Sequence, residues 1–438
     1  MSINTKHVFI KSAILLIAVA FVIGMYVYTN ESSAADDTYI KELQDKISER
    51  GNEIGELKEE IKKYEEDISE LNREASTLTG TIKTLDATRK KLLADISVTE
   101  NEIDATSFAI EKVEFEISKK EKEIGTNNRT MADIIRKLNE VEAQSLVEVV
   151  LSNDSLSEFW DDINSLQTFQ ETVRDNLKEL ESLRDELNVI KDKRESEKES
   201  LVVSKEELGD QKQIVEANKN EKSRVLKVTK NKESEFQKTL EEKRKLKEAF
   251  EAELEEFESQ LKVAIDPSQL PAKGSGVLRW PLDSVRITQY FGDTDFAKSG
   301  AYKGKGHNGI DMGAAPGTKV KSAAGGVVTA VGDTDAVCPY ASYGKWALID
   351  HKNGLSTLYA HLSLTKVGKG QTLNRGDLVG YSGSTGYSTG PHLHFTVYAT
   401  KGVQVSKLKS RVCGGTYTIP LAPLNAYLNP INYLTNKP

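Results

Sequence analysis

The spacing of apolar positions changes twice along this chain. From Ser12 to Tyr28 they form an unbroken run, SAILLIAVAFVIGMYVY, with Lys6 and Lys11 ahead of it. Seventeen uncharged residues are long for a signal-peptide core and slightly short for a full membrane span. Ser33-Ala34-Ala35 then offers small residues suited to signal cleavage. Positive charge ahead of the run predicts export on either reading, cleaved or anchored. From Leu43 the apolar positions step by three and four: Leu43, Ile47, Ile54, Leu57, Ile61, Tyr64, Ile68, Leu71, Ala75, Leu78, Ile82, Leu85. That period of 3.5 predicts a coiled coil. The seam continues through Leu92, Ile96, Ile103, Ile110 and Ile117, and Gly125-Thr126-Asn127-Asn128 predicts its first stop.

A second helical run is predicted from about Ile163 to Lys262, with Leu166, Val173, Leu177, Leu180, Leu187 and Ile190 in its seam. Between the runs, Ser155-Leu156-Ser157-Glu158 reads as a capping box. Two long runs joined by a short apolar segment pair most simply as an antiparallel hairpin. A helix of about 85 residues would reach roughly 130 Å at 1.5 Å per residue. Residues 127–170 are then the tip, where Phe159, Trp160, Leu166 and Phe169 exceed what a turn needs and are candidates to face a partner.

Past Asp266-Pro267 the pattern changes again, to short alternating segments separated by Gly-rich turns. Val285–Tyr290, Gly326–Val331, Trp346–Asp350, Ser356–Ala360 and His394–Tyr398 predict strands of an all-β domain. The expected architecture is multidomain, a long antiparallel α-helical coiled coil followed by an all-β domain. Its parts are an export signal or anchor (1–35), a coiled-coil hairpin (36–265), a linker (266–275) and the β domain (276–438).

Composition sharpens this division. All ten prolines fall at or after Pro267, so the preceding region is free of the strongest helix breaker. From Ser275 to Pro438 there are 17 Lys plus Arg, 8 Asp and no Glu, a net of +9. The rest of the chain carries −17, for a total of −8. A basic terminal domain on an acidic helical body suits a polyanionic surface such as cell wall. No nucleic-acid partner is expected. The two cysteines, Cys338 and Cys413, lie in the β domain and are expected to form a disulfide in an exported protein.

Five of the six histidines are in this domain: His307, His351, His361, His392 and His394. His307 and Asp311 are four residues apart. His392 and His394 are two apart, and on a strand such residues face the same way. Two imidazoles and a carboxylate leave one position open on a tetrahedral Zn²⁺, as a catalytic zinc requires. With no Glu in the domain, a histidine is the expected proton shuttle. His351 sits at a strand-to-turn boundary and is expected at the surface.

His307-x-x-x-Asp311, Tyr359-Ala360-His361-Leu362 and Gly390-Pro391-His392-Leu393-His394-Phe395 together resemble the lysostaphin/LytM-type zinc peptidases, which cut peptide bonds in peptidoglycan. Trp280-Pro281-Leu282 and Ile287-Thr288-Gln289-Tyr290-Phe291-Gly292 fit the same pattern. The resemblance implies that His307, Asp311 and His394 bind zinc and that His361 and His392 are the catalytic pair. An export segment, coiled coil and LytM-type domain together resemble murein hydrolase activators and wall hydrolases controlled by the FtsE–FtsX division complex. That likeness implies an FtsX-like membrane protein at the tip, where Ser145–Ser152 and Leu156–Phe159 resemble the contacting segment. The activators have lost metal ligands, whereas every ligand position is filled here. The expected function is therefore zinc-dependent hydrolysis of peptidoglycan cross-links, controlled through the coiled coil during division or wall remodelling. A non-hydrolytic adaptor for a separate wall amidase is the alternative, and a structural spacer is a third reading.

Overall fold

The computed structural model describes residues 38–71, 77–142, 156–292 and 306–436, apart from a few single positions. The expected export segment, residues 143–155 and the side chains of 156–170 lie outside the described residues, so the expected anchor and tip contacts do too. Among the described residues, no helix is long and apolar enough to cross a membrane.

Among the described residues, four α-helices precede the sheet: α1 (38–68), α2 (Leu78–Glu142), α3 (Leu156–Thr229) and α4 (Glu233–Ser259). The chain divides into two compact units, residues 1–55 with 99–206 and residues 56–98 with 207–438. In the first unit, Arg50 of α1 reaches Asn101 and Asp104 of α2 while Tyr39 donates to Glu111. Between α2 and α3, Lys120 pairs with Glu186 at 2.9 Å and Lys198 with Glu114 at 3.0 Å. Both sets run in opposite chain directions, as antiparallel coiled-coil neighbours do. Ile124, Leu180 and Leu183 form the apolar seam there.

Three expectations about helix limits are corrected. Gly125–Asn128 lies inside α2, because a helix packed along an apolar seam tolerates one glycine at a cost of about 1 kcal/mol. The seam from Leu43 to Leu85 is also not one helix, since α1 folds back on α2, as the Lys91–Glu65 pair of the second unit also shows. The run to Lys262 is likewise interrupted. Lys230 and Asn231 both take left-handed backbone (φ 49° and 55°), ending α3 and letting α4 start in a new direction. Glu233 of α4 accepts a hydrogen bond from Leu78 N–H at 2.8 Å and so caps α2.

The second unit holds the sheet. The strands that matter for the site are β1 (Ile287–Gln289), β2 (Ile310–Gly313), β6 (Leu355–Thr365) and β9 (His392–Ala399). Its strands also include β3 (Lys319–Lys321), β4 (Gly326–Asp333), β5 (Lys345–Asp350), β7 (Thr372–Leu373), β8 (Leu378–Ser382) and β12 (Tyr427–Leu428). The ten strands of the sheet follow the order β1-β2-β9-β6-β5-β4-β7, with β12 on β9 and with β8 joining β3 to β6. A separate hairpin joins β10 (Gln404–Lys409) to β11 (Thr416–Leu421). The sheet is flanked by two apolar clusters. One gathers Leu282, Met312, Ile349, Tyr359 and Phe395; the other gathers Trp346, Tyr398, Ile419 and Phe250 of α4. The Cys338–Cys413 disulfide forms, with a Cα separation of 5.8 Å, and ties the loop after β4 (Gly326–Asp333) to the β10–β11 turn.

Candidate active site

Register between strands assembles the site. β2 pairs with β9 so that Asp311 lies opposite His394 and Gly313 opposite His392. Cross-strand partners share a face, and residues two apart on one strand share it too, so Asp311, His392 and His394 project together. β6 runs on the other side of β9, with Ala360 opposite His394. Its next residue, His361, has φ 61° where the register shifts, and this local bulge turns the imidazole toward the other three. His361 N–H donates to Tyr343 O at 2.9 Å, which holds the bulge. His307 precedes β2 and bridges to Gly292 through two 2.8 Å backbone hydrogen bonds. Gly309 lies flat on β9: a Cβ there would stand 2.6 Å from Phe395 O and 2.9 Å from the His394 ring.

The donor atoms converge. His307 Nε2 is 3.1 Å from His394 Nδ1 and 3.3 Å from Asp311 Oδ1, and His394 Nδ1 is 2.9 Å from the same oxygen. Among the described residues, this triad is the cluster able to hold a metal ion. Each ring is oriented by its other nitrogen. His307 Nδ1 meets Tyr290 O at 3.0 Å, and His394 Nε2 meets Thr396 Oγ1 at 2.9 Å. His361 Nδ1 meets Thr385 O at 2.8 Å, and His392 Nδ1 meets Gly390 O at 2.7 Å. A carbonyl only accepts, so Nδ1 of His307, His361 and His392 carries the proton and Nε2 of each presents a lone pair. His392 Nε2 lies 3.6 Å from Asp311, and the His361 and His392 rings are 4.7 Å apart. All five residues expected at the site are thus brought together.

The electrostatics suit a cation at the triad. Burial alone would raise the Asp311 pKa, but the His392, His307 and His394 imidazoles overcome it and hold the carboxyl well below its usual range. Burial, then the His392 and His394 rings, hold His361 well below the ordinary histidine value. His394 is lowered too, chiefly by burial and against the pull of Asp311.

His351 is not a surface residue. It is buried, with Nδ1 on Gly325 O at 3.0 Å and Nε2 on Thr357 Oγ1 at 2.8 Å, and burial lowers its pKa. A turn position in the sequence does not reveal whether the sheet folds over it.

Several residues of the cavity escaped sequence reasoning. A space of about 480 Å³ opens over the histidines, and its walls include Gln289, Phe291, Asn308, Tyr343 and Tyr387. Asn308 Nδ2 donates to Tyr343 OH at 3.2 Å, and burial pushes the Tyr343 hydroxyl up to about 12, so it stays protonated at neutral pH. The opposite wall is α4, through Phe250, Glu251, Leu254, Glu255 and Glu258. The glutamates missing from the peptidase sequence are therefore supplied from the helical region. Glu258 accepts from Tyr427 OH, and Glu253 accepts from Ser410 Oγ at 2.7 Å and from Arg411 N–H. Arg411 also pairs with Glu256 at 2.6 Å.

An antiparallel sheet presenting two imidazoles, a carboxylate and two further imidazoles to one cavity defines a metallopeptidase class of site. Residues 305–407 match Peptidase family M23, and the chain carries a domain of that family. Over 89 residues it is 45% identical to the DD-carboxypeptidase/endopeptidase Mpg of Neisseria meningitidis serogroup B, covering 20% of this chain and 19% of that protein. It is 40% identical over 106 residues to the peptidoglycan DD-endopeptidase ShyA of Vibrio cholerae, covering 24% and 23%. A zinc-containing peptidase of Vibrio cholerae, a solved structure, is 32% identical, covering 29% of this chain and 37% of that one with a TM-score of 0.24. The matched segments span only about a fifth of the length of Mpg and ShyA.

Proposed function

We propose that this protein is an exported zinc endopeptidase that hydrolyses peptide cross-links of peptidoglycan and is controlled through its helical region. One observation carries the reading: the His307, Asp311 and His394 donor atoms lie within 3.3 Å of one another beside two further imidazoles with free lone pairs. Two nitrogens and one oxygen are the donor set of catalytic zinc sites, and the outward hydrogen bonds fix the rings in the ligating tautomer. The residues present therefore fit Zn²⁺. When bound, zinc supplies the positive charge that polarises a scissile carbonyl and lowers the pKa of a water molecule.

His361 and His392 carry the proton work. Their Nδ1–H groups are tied to carbonyls, so proton uptake from water and its return to the leaving amine both occur at Nε2. An Nε2 proton also stabilises charge on the substrate oxygen as it develops. The filled ligand set supports hydrolysis over the adaptor reading.

Control through α4 follows from its place on the cavity wall, where Phe250, Leu254 and the nearby glutamates occupy the approach to the histidines. The proposal keeps the division into segments 1–35, 36–265, 266–275 and 276–438. It also keeps an FtsX-like membrane partner at residues 127–170, on sequence resemblance alone. The test is release of new amino groups from purified peptidoglycan by the full chain, with and without chelator, beside His361→Ala. Release that needs zinc and His361 supports the reading; release indifferent to both overturns it.

A further inference from the structure

The face of β9 that carries the histidines continues past them. His392, His394, Thr396 and Tyr398 alternate along the strand and so share one face. β12 pairs with β9 so that Tyr427 lies opposite Tyr398, with ring centres 4.9 Å apart. Tyr398 is four residues beyond His394, about 14 Å along the strand. Tyr343 bridges that distance. Its ring centre is 5.8 Å from that of His394, and its hydroxyl is 3.4 Å from Tyr398 OH. A row of phenols therefore leads from the triad to Tyr427, and Tyr343 and Tyr427 line the same cavity as the histidines.

An acid already sits at the end of that row. Glu258 of α4 is 8% exposed, and one of its carboxylate oxygens accepts both from Tyr427 OH and from Ala422 N–H, the latter at 3.5 Å. Burial, then the neighbouring Tyr343, Tyr398 and Glu258, push the Tyr427 hydroxyl well above its ordinary value, so it remains a donor at neutral pH. Burying a carboxylate is costly unless donors meet it, and a hydroxyl and a backbone N–H aimed at one oxygen are such donors. Both donors belong to the β domain, whereas the acid belongs to the helix. When α4 withdraws, as control through that helix requires, these donors stay behind in the catalytic cavity.

We propose that the place Glu258 fills is a carboxylate subsite of the substrate groove, taken by a free carboxylate of the peptide substrate once α4 withdraws. Glu258 is then a tethered competitor for it. This rests on the peptidase reading above. At about 3.4 Å per extended residue, the subsite lies roughly four residues from the triad. The carboxylate has two sources in a peptide cross-link, a chain terminus or an acidic side chain. A neutral amide can accept the same two bonds, but bonds to a charged acceptor are roughly twice as strong, so the site favours the free acid.

The experiment measures binding of synthetic cross-linked stem-peptide dimers to the full, zinc-loaded chain carrying His361→Ala to prevent turnover. Three dimers are compared: both kinds of carboxylate free, the terminal one amidated, and the side-chain one amidated. Removal of the competitor in Glu258→Ala is expected to tighten binding of the free dimer at least about tenfold, and amidation at one of the two positions to weaken it again about tenfold. Departure of α4 acts on all three dimers alike, so their ratios report the subsite alone. Tyr427→Phe, which keeps the ring and deletes the donor, should bring the ratio close to one when added to Glu258→Ala. Glu258→Gln keeps the acceptor oxygen without the charge and should fall between Glu258→Ala and the chain that retains Glu258. The arm that loses affinity names the source. Equal affinity of the free dimer with and without Glu258, no measurable binding to Glu258→Ala, or a ratio that survives Tyr427→Phe overturns the proposal. If the ratios behave as expected while Glu258→Ala with His361 intact cuts no dimer, the hydrolase reading alone fails.

Discussion

Glu253 offers a direct test of how firmly α4 is held over the cavity. Its carboxylate is 4% exposed, lies outside the cavity wall, and accepts from Ser410 Oγ at 2.7 Å and from Arg411 N–H at the β10–β11 turn. Glu253→Ala removes both acceptors and leaves a buried hydroxyl and a backbone N–H without them. Hydrogen bonds to a charged group contribute about 1.5–3 kcal/mol each and are not additive, so roughly 3 kcal/mol of the docking is lost. At 1.4 kcal/mol per factor of ten, the open fraction rises by about a hundredfold, unless it first saturates. The assay is initial release of amino groups from peptidoglycan by the full zinc-loaded chain, wild type beside Glu253→Ala and Glu253→Gln. Because Glu253 touches none of the histidines, faster hydrolysis would come from α4 leaving the cavity. Gln keeps one acceptor and should fall between the two. Equal rates for wild type and Glu253→Ala would refute the claim that α4 restrains the enzyme.

Three further outcomes are expected. Thr396→Val removes the partner of His394 Nε2 and should weaken zinc binding about 10–100-fold by chelator competition, with Thr396→Ser recovering most of it. Gly309→Ala drives a methyl against Phe395 O and the His394 ring, and should abolish stoichiometric zinc binding while circular dichroism still reports a folded chain. His351 has a pKa lowered by burial, so its contribution to stability is present above about 6.5, the unfolded value, and is lost as pH falls through the folded one. In the zinc-loaded chain, melting temperature should therefore drop below pH 6.5, and His351→Gln should flatten that slope.

Much of the site was legible before any coordinates. His307-x-x-x-Asp311 and His392-x-His394 display their chemistry locally, because one strand pairing and a two-residue repeat suffice to align them. His361 was legible only as a motif, since its orientation depends on a left-handed residue at a register shift between β5 (Lys345–Asp350) and β6. The ring-orienting partners carry no sequence signal at all: Tyr290, Thr385 and Gly390 act through their carbonyl oxygens. Thr396 alone, two residues beyond His394 on the same face, was discoverable from spacing.

The helical region divides in the same way. A 3.5-residue period establishes that Leu43 to Ile117 belongs to a coiled coil, because helix periodicity is a property of neighbouring residues. It does not say where the seam turns back, since α1 and α2 have the same pattern whether they continue or fold on one another. The fold-back, the break at Lys230–Asn231 and the direction taken by α4 were decided by tertiary contacts. So was the burial of His351. Local spacing therefore determined which elements form and which donors can share a metal. Pairings between residues far apart in the chain, from Glu253 with Arg411 to Phe250 in the apolar cluster of Trp346 and Tyr398, decided what stands over them.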